Sequence, residues 1–402
     1  MTVFISDAVH TGRLAFGATH PPSGPASREF AELSALYQAS LVAAGHAVQP
    51  VLRPEIYQTA VARQALGVAD GDWHLAVKPI EHFRPFHGLP NVLVCNWPYP
   101  ELSVSRLGPS PFSDQVRLLN QADAVACCTG FTAEALRAAG VQRVVVLPPH
   151  VPGPAGIARK RPDEQVFLTV ADIDRLPRQL GRTIEGFAQA RALHGGLRLV
   201  VRLLGAPPRP AAALRSDVLQ ALEHRPTELV RPSGKDARHD EQPELPSDSL
   251  RSEQALALGE SDGAVSFTAG GRETPADFFL CASAAEGLPV PLVQAMLAGV
   301  PLVTTMSSGI GSFLVPGSAV AIETLRAAAH PDDEPMARRM RLTVNPPTAQ
   351  AVRDAVLAAA SLDGPARANM AATCRHLADR HFGLAAFQSG LAQLDRLVAG
   401  RR

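Results

Sequence analysis

The sequence predicts an α/β protein of two doubly wound domains, and three observations carry that prediction. Short β-branched runs alternate with helical patterns through the first 150 residues, and the same alternation resumes after a stretch rich in Pro, Gly and charge. A chain of 402 residues with a hydrophobic fraction of 46% also has enough length and apolar surface for two cores. The domains fall at residues 1–152 and 165–376, a linker at 153–164 joins them, and 377–402 reads as a terminal helix.

In the first domain residues 3–6 read as a strand, 27–44 as a helix closed by Gly45, and 47–52 as the next strand. The connection 7–26 is too long for an ordinary strand-to-helix turn, and with its glycines, prolines and His20 it reads either as a closure loop or as a decorated surface loop. Apolar runs at 74–78, 91–96, 124–128 and 144–147 complete the sheet. The second domain opens with a strand at 165–170, a helix at 183–193 and a strand at 197–203. Residues 207–262 mix Pro, Ser, Asp, Glu and Arg with little to bury, and we expect a flexible excursion there. Strand character returns at 265–267, 278–282 and 300–303. A loop follows Thr305, then a strand at 319–322, a polar loop to 341, and helices at 349–361, 366–381 and 384–398.

Composition limits the function. The 38 basic and 38 acidic residues give no net field for a nucleic acid or an anionic membrane, so an anion must be met by local groups and partners are small or neutral. Five cysteines, an odd number and mostly in apolar runs, read as reduced core residues of a cytoplasmic protein. The N-terminus lacks a basic head and apolar stretch, and no apolar run reaches membrane-spanning length, so at most a peripheral contact at the inner face of a membrane is expected. Oligomeric state is not legible. His82 and His87 are not at helical metal spacing, no Cys-x-x-Cys exists, and Asp332-Asp333 sits in a loop, so no metal site is expected. The chain also lacks Gly-x-Ser-x-Gly, a phosphate loop ending in Gly-Lys-Ser/Thr, and Gly-x-Gly-x-x-Gly after its first strand, which argues against hydrolase, ATPase and dehydrogenase.

The most informative stretch is 284–301, Ala-Ala-Glu-Gly-Leu-Pro-Val-Pro-Leu-Val-Gln-Ala-Met-Leu-Ala-Gly-Val-Pro. It reads as a strand-to-helix junction: Pro291 pre-sets helical φ, Gly299 closes the helix, and the next strand follows. A helix N-terminus offers backbone N–H groups and a positive dipole end to phosphate, and Glu286 can accept hydrogen bonds from two hydroxyls of a polyol. A diphosphate joined to a sugar fits that pair.

This run resembles the E-x7-E signature of family 4 retaining glycosyltransferases, whose usual form is Ser-x-x-Glu-Gly-Phe-Gly-Leu-Pro-x-x-Glu-Ala-Met-Ala-x-Gly-x-Pro-Val. Ser283, Glu286, Gly287, Pro291, Ala295, Met296, Gly299 and Pro301 fall on the pattern. It departs at two positions: the second glutamate is Gln294, and the second glycine is Pro289, which has no N–H. Residues 123–132 and 140–151 are similar to the end of the family's first domain.

The resemblance implies the GT-B fold, two Rossmann-like doubly wound domains facing across a cleft. It further implies a nucleoside-diphosphate sugar as donor substrate, no separate cofactor, and a glycan, lipid-linked or small-molecule acceptor. Glu286 and Arg178 become the expected catalytic pair, with Arg178 in the place of the family's lysine and Asp172 where its arginine usually stands. Ser283, Gly287, Leu288, Gln294, Arg175, Arg202 and Gly24 are expected on the donor side, Gln294 as the ribose ligand and Arg175 as the alternative to Arg178 for the diphosphate. Trp97, Lys78, His82 and His20 are expected on the acceptor side, Trp97 either as a stacking face or as core. Two other readings stay open: a degenerate relative that binds nucleotide or glycan without transfer, and a sugar-nucleotide epimerase of the same fold. The epimerase would need converging carboxylates and histidines that the sequence does not place.

Overall fold

The computed structural model describes residues 1–7, 25–102, 114–153, 164–172, 178–204, 213, 264–269, 276–329 and 342–399. Strands β1 (Thr2–Asp7), β2 (Ala47–Pro50), β3 (Trp73–Val77), β4 (Asn91–Cys95), β5 (Ala124–Cys127) and β6 (Val144–Val146) form one parallel sheet in the order β2-β1-β3-β4-β5-β6. Strands β7 (Gln165–Asp172), β8 (Leu197–Leu204), β9 (Val265–Ala269), β10 (Phe278–Cys281), β11 (Leu302–Thr305) and β12 (Ala319–Ile322) form a second, ordered β12-β11-β10-β7-β8-β9. Every residue of β3, β4 and β5 is buried, as strands covered by helices on both faces require.

Strand order locates the crevices. In the first sheet the chain leaves β1 for β2 on one side and returns to β3 on the other; in the second it runs β7, β8, β9 outward and resumes at β10 beside β7. Doubly wound sheets bind ligands outside the carboxyl ends of the strands at such reversals. The reversal lies between β1 and β3 in one domain and between β7 and β10 in the other.

Local chemistry explains the element ends. The helix Pro25–Ala43 is followed by Gly45 at φ 90°, and the helix Val290–Leu297 by Gly299 at φ 70°, the left-handed conformation that glycine adopts without a Cβ penalty. The expected strand at 300–303 starts two residues later as β11, because Val300 N–H still closes the preceding helix on Ala295 O and Pro301 has no N–H for a ladder. The expected helix at 183–193 starts at Arg178, since buried Leu180 extends the stripe of Ile184, Phe187 and Ala190 by one turn. The stretch after Thr305, read as loop, contains a short helix Ser308–Gly311 and a small antiparallel ribbon of β13 (Ala327–Ala328) and β14 (Thr343–Val344). Most of the expected closure loop at 7–26, nearly all of the linker and nearly all of the 207–262 excursion lie outside the described residues.

One apolar cluster ties the halves together. It runs from Leu75, Val92 and Tyr37 of the first domain through Phe382, Phe387 and Leu391 to Leu292 and Met296 of the second. The helix Gly364–Phe382 packs on Val290–Leu297, and after Gly383 the helix Leu384–Ala399 lies on β5, β6 and the helix Pro25–Ala43. Phe387, Leu391, Leu394 and Val398 form its buried face, and Gly390 allows the approach because a Cβ there would press on Val146 O. Among the described residues no helix is long and apolar enough to cross a membrane.

Candidate functional site

The loop after β10 is held in place from below and from the side. Thr304 and Thr305, at the end of neighbouring β11, donate their hydroxyls to Cys281 O at 3.0 Å and Ser283 O at 2.8 Å, which fixes where the strand ends. Ser283, itself buried, donates to Glu286 Oε1 at 2.8 Å. Glu286 N–H donates to Ser308 Oγ at 2.9 Å, and Gly309 N–H donates to Glu286 O at 2.8 Å. Ser308 is the sole non-glycine residue at positive φ, 52°, among the described residues. Strained positions of this kind persist where the surroundings over-determine them, and they cluster at ligand clamps.

Glu286 is thus a half-buried carboxylate with its backbone fixed at both ends and one side-chain oxygen oriented by Ser283. It follows β10, while Arg178 opens the helix after β7; these two strands flank the reversal of the second sheet. Arg178 is described in its backbone only, and Arg175, Gly24 and His20 lie outside the described residues. Arg202 sits on β8 with neighbours on both sides, on the face of Val200, and burial lowers the pKa of its guanidinium. Two residues on, Leu204 O accepts from Arg28 Nη1 of the first domain at 3.2 Å, so the β8 end reaches the other domain.

The helix N-terminus corrects one expectation. Helix Val290–Leu297 offers few spare donors, because Pro289 and Pro291 have no N–H and Leu292 and Val293 both donate to Pro289 O. Among the described residues the N–H groups of Gly287 and Leu288, one step earlier, make no hydrogen bond, so these are the donors available to an anion. The Leu288 side chain is buried in the core, which leaves its backbone alone for that task. Gln294 is half-buried, and its amide makes no hydrogen bond among the described residues.

In the first domain the expected acceptor residues divide. Trp97 does not offer a stacking face: it is buried, its Nε1 donates to Glu101 O at 2.8 Å, and it packs edge-on to Tyr99. His82 ends a short 3-10 helix and is exposed. Lys78, just past β3 at the reversal of the first sheet, is buried; burial pulls its ammonium down to about 8, against the opposing carboxylates of Glu55 and Asp7. Beside it the buried imidazole of His74 bridges Ser6 Oγ at 2.8 Å and Asn91 Oδ1 at 2.9 Å. Because the Asn91 amide donates to Phe86 O and Leu89 O, its Oδ1 accepts from His74 Nδ1–H, and His74 Nε2 accepts from Ser6.

Two residues beside Glu286 escaped the sequence reading. Ser308 and Gly309 belong to Ser307-Ser308-Gly309-Ile310-Gly311 at the end of β11, where clustered small residues at a strand end are the one signal that was available. Asn96, just past β4, meets Gly287 across the interdomain boundary, a contact between residues too distant in sequence to be paired from it.

Solved structures share this architecture at low identity. Trehalose 6-phosphate synthase from Burkholderia multivorans superposes with a TM-score of 0.58 and 12% identity, covering 100% of this chain and 99% of that one. Sucrose-phosphate synthase from Thermosynechococcus elongatus gives 0.57 and 14%, covering 100% of both chains. The trehalose-6-phosphate protein from E. coli bound with UDP-2-fluoro glucose gives 0.56 and 11%, over 98% and 99%. Some other similar structures are longer, and the chain spans about half of them. The fold is GT-B, two parallel six-stranded sheets with their helices, as the motif around Glu286 implied. No family model matches the chain, and no curated protein matches it in sequence.

Proposed function

We propose that this protein is a metal-independent retaining glycosyltransferase that moves a sugar from a nucleoside-diphosphate sugar to a glycan, lipid-linked or small-molecule acceptor. The observation that carries the reading is the fixed Glu286 carboxylate at the β10 end, oriented by Ser283 and flanked by the N–H groups of Gly287 and Leu288, which make no hydrogen bond among the described residues. Glu286 accepts hydrogen bonds from hydroxyls of the donor sugar and holds it for reaction. The N–H groups, the positive end of helix Val290–Leu297 and the cations Arg178 and Arg175 neutralise the departing diphosphate, the charge that grows most in the transition state. A guanidinium binds two phosphate oxygens at once, so arginine can serve where the related family uses lysine. Gln294 holds a ribose hydroxyl with its amide. Lys78, His82 and His20 border the acceptor from the first domain.

A second reading, nucleotide or glycan binding without transfer, is favoured by Pro289, which lacks the N–H of the family's second glycine, by Gln294 in place of a charged acceptor, and by Asp172 where the family's arginine usually stands. A thermal-shift screen against nucleoside diphosphates and their sugars in EDTA identifies the donor, since a ligand raises stability only where it binds the folded state. Proton NMR of the product then separates the readings. Transfer requires a product of unchanged anomeric configuration; a donor that binds and is never consumed, with any acceptor or with water, supports binding alone.

A further inference from the structure

Beside Glu286 the amide of Asn96 brings the first domain against the second. Asn96 Nδ2 donates to Glu29 Oε1, on the helix Pro25–Ala43, at 2.8 Å; this fixes the amide and turns its Oδ1 towards the other domain. That oxygen is buried and has no hydrogen-bond partner among the described residues. It lies against Gly287, where an added Cβ would collide with the Asn96 amide. On the opposite side a Cβ on Gly309 would collide with the carbonyls of Gly287 and Glu286. The Glu286–Gly287 segment is therefore gripped between Asn96 of the first domain and Ser308–Gly309 of the second.

The φ of Gly287 lies outside the left-handed region, so its backbone would accept alanine. What meets a side chain there is the Asn96 amide, which Glu29 holds. An unpartnered buried oxygen is unfavourable in itself, so Glu29 holds the Asn96 amide for its position and shape. We propose that Asn96, oriented by Glu29, is a positioning residue: when the cleft closes, its amide seats against Gly287 and sets the place of the Glu286 carboxylate. The first domain then controls the geometry of a donor site built in the second. The consequence for Glu286 rests on the donor-site reading above, whereas the contact itself does not.

The test compares wild type, Gly287→Ala, Asn96→Ala and the double variant, each in the whole chain. Small-angle scattering reads domain closure, and calorimetric titration with UDP-glucose and with UDP reads the donor site. Gly287→Ala is expected to expand the particle and weaken UDP-glucose by about tenfold, with UDP changed by less. Asn96→Ala in the same chain removes the obstacle and restores closure, but UDP-glucose stays weakened, as it is in Asn96→Ala alone, because the positioning amide is gone. Gly309→Ala serves as the internal comparison, because its collision lies within the second domain and Asn96→Ala gives no relief. The proposal is overturned if Gly287→Ala leaves scattering unchanged, if its expansion persists in the double variant, or if Asn96→Ala alone binds UDP-glucose as wild type does. If wild type binds no UDP-glucose, the scattering arm still decides the contact, and the failure belongs to the choice of donor.

Discussion

Ser283 Oγ donates to Glu286 Oε1 over 2.8 Å, so the carboxylate proposed to hold the sugar is oriented by a residue three positions before it in the same loop. Ser283→Ala leaves the loop's backbone bonds to Ser308, Gly309 and Thr305 in place while freeing the side chain. We expect donor affinity to fall about tenfold, the worth of one hydrogen bond to a charged group, with the melting temperature little changed. Titration and a melting scan of the variant check this; a large loss of stability with intact affinity would assign Ser283 to the fold instead.

The diphosphate is expected to be met by protein cations alone. Activity or donor binding in EDTA should match that in magnesium, and Arg178→Ala should lower turnover more than Arg175→Ala. Restoration by a divalent metal after chelation, or the opposite ranking of the two arginines, would contradict the proposed clamp.

Gln294→Glu supplies a charged acceptor at a half-buried position whose amide has no partner among the described residues. A charge-assisted bond to ribose exceeds a neutral one by about 1 kcal/mol, so donor affinity should rise several-fold. A marked loss of affinity by calorimetry would show that the amide donates a hydrogen bond of its own.

His74 gives a pH dependence. Burial, first, and the neighbouring Lys78 lower its imidazole from 6.5 to about 4, although the bond to Asn91 opposes them. The unfolded chain takes up this proton below about 6.5 and the folded one only near 4, so stability falls as pH drops through that window and is flat in this respect above it. The full difference is about 3 kcal/mol, at about 1.4 kcal/mol per pH unit. Urea unfolding of wild type and His74→Gln between pH 7 and pH 4 should show a shallower slope for the variant; equal slopes would remove His74 as the cause.

How much of this could be read in advance followed from how local each cause is. Gly45, Gly299 and Pro291 act on their own turns, so the helix ends they mark were legible, as were the apolar runs of the buried strands. The junction that carries Glu286 was legible because strand, loop and helix are contiguous. Other features depend on partners far along the chain. Trp97 was open between sugar platform and core until Tyr99 and the Glu101 carbonyl were seen to occupy its edge and its N–H. The helix N-terminus looked rich in donors until Pro289 O was found to take two of them, while the N–H groups of Gly287 and Leu288 make no hydrogen bond among the described residues. The grip of Asn96 on Gly287 exists only once both domains are folded and facing.

The central claim is that Glu286 holds the sugar and not the nucleotide. Calorimetric titration in EDTA of wild type and Glu286→Ala, each with the nucleoside-diphosphate sugar found by the screen and with its nucleoside diphosphate alone, tests it most directly. The account predicts that wild type binds the sugar nucleotide more tightly than the diphosphate, and that Glu286→Ala removes this advantage while diphosphate affinity and melting temperature stay unchanged. An equal loss for both ligands, or an undiminished preference for the sugar nucleotide in Glu286→Ala, would contradict it.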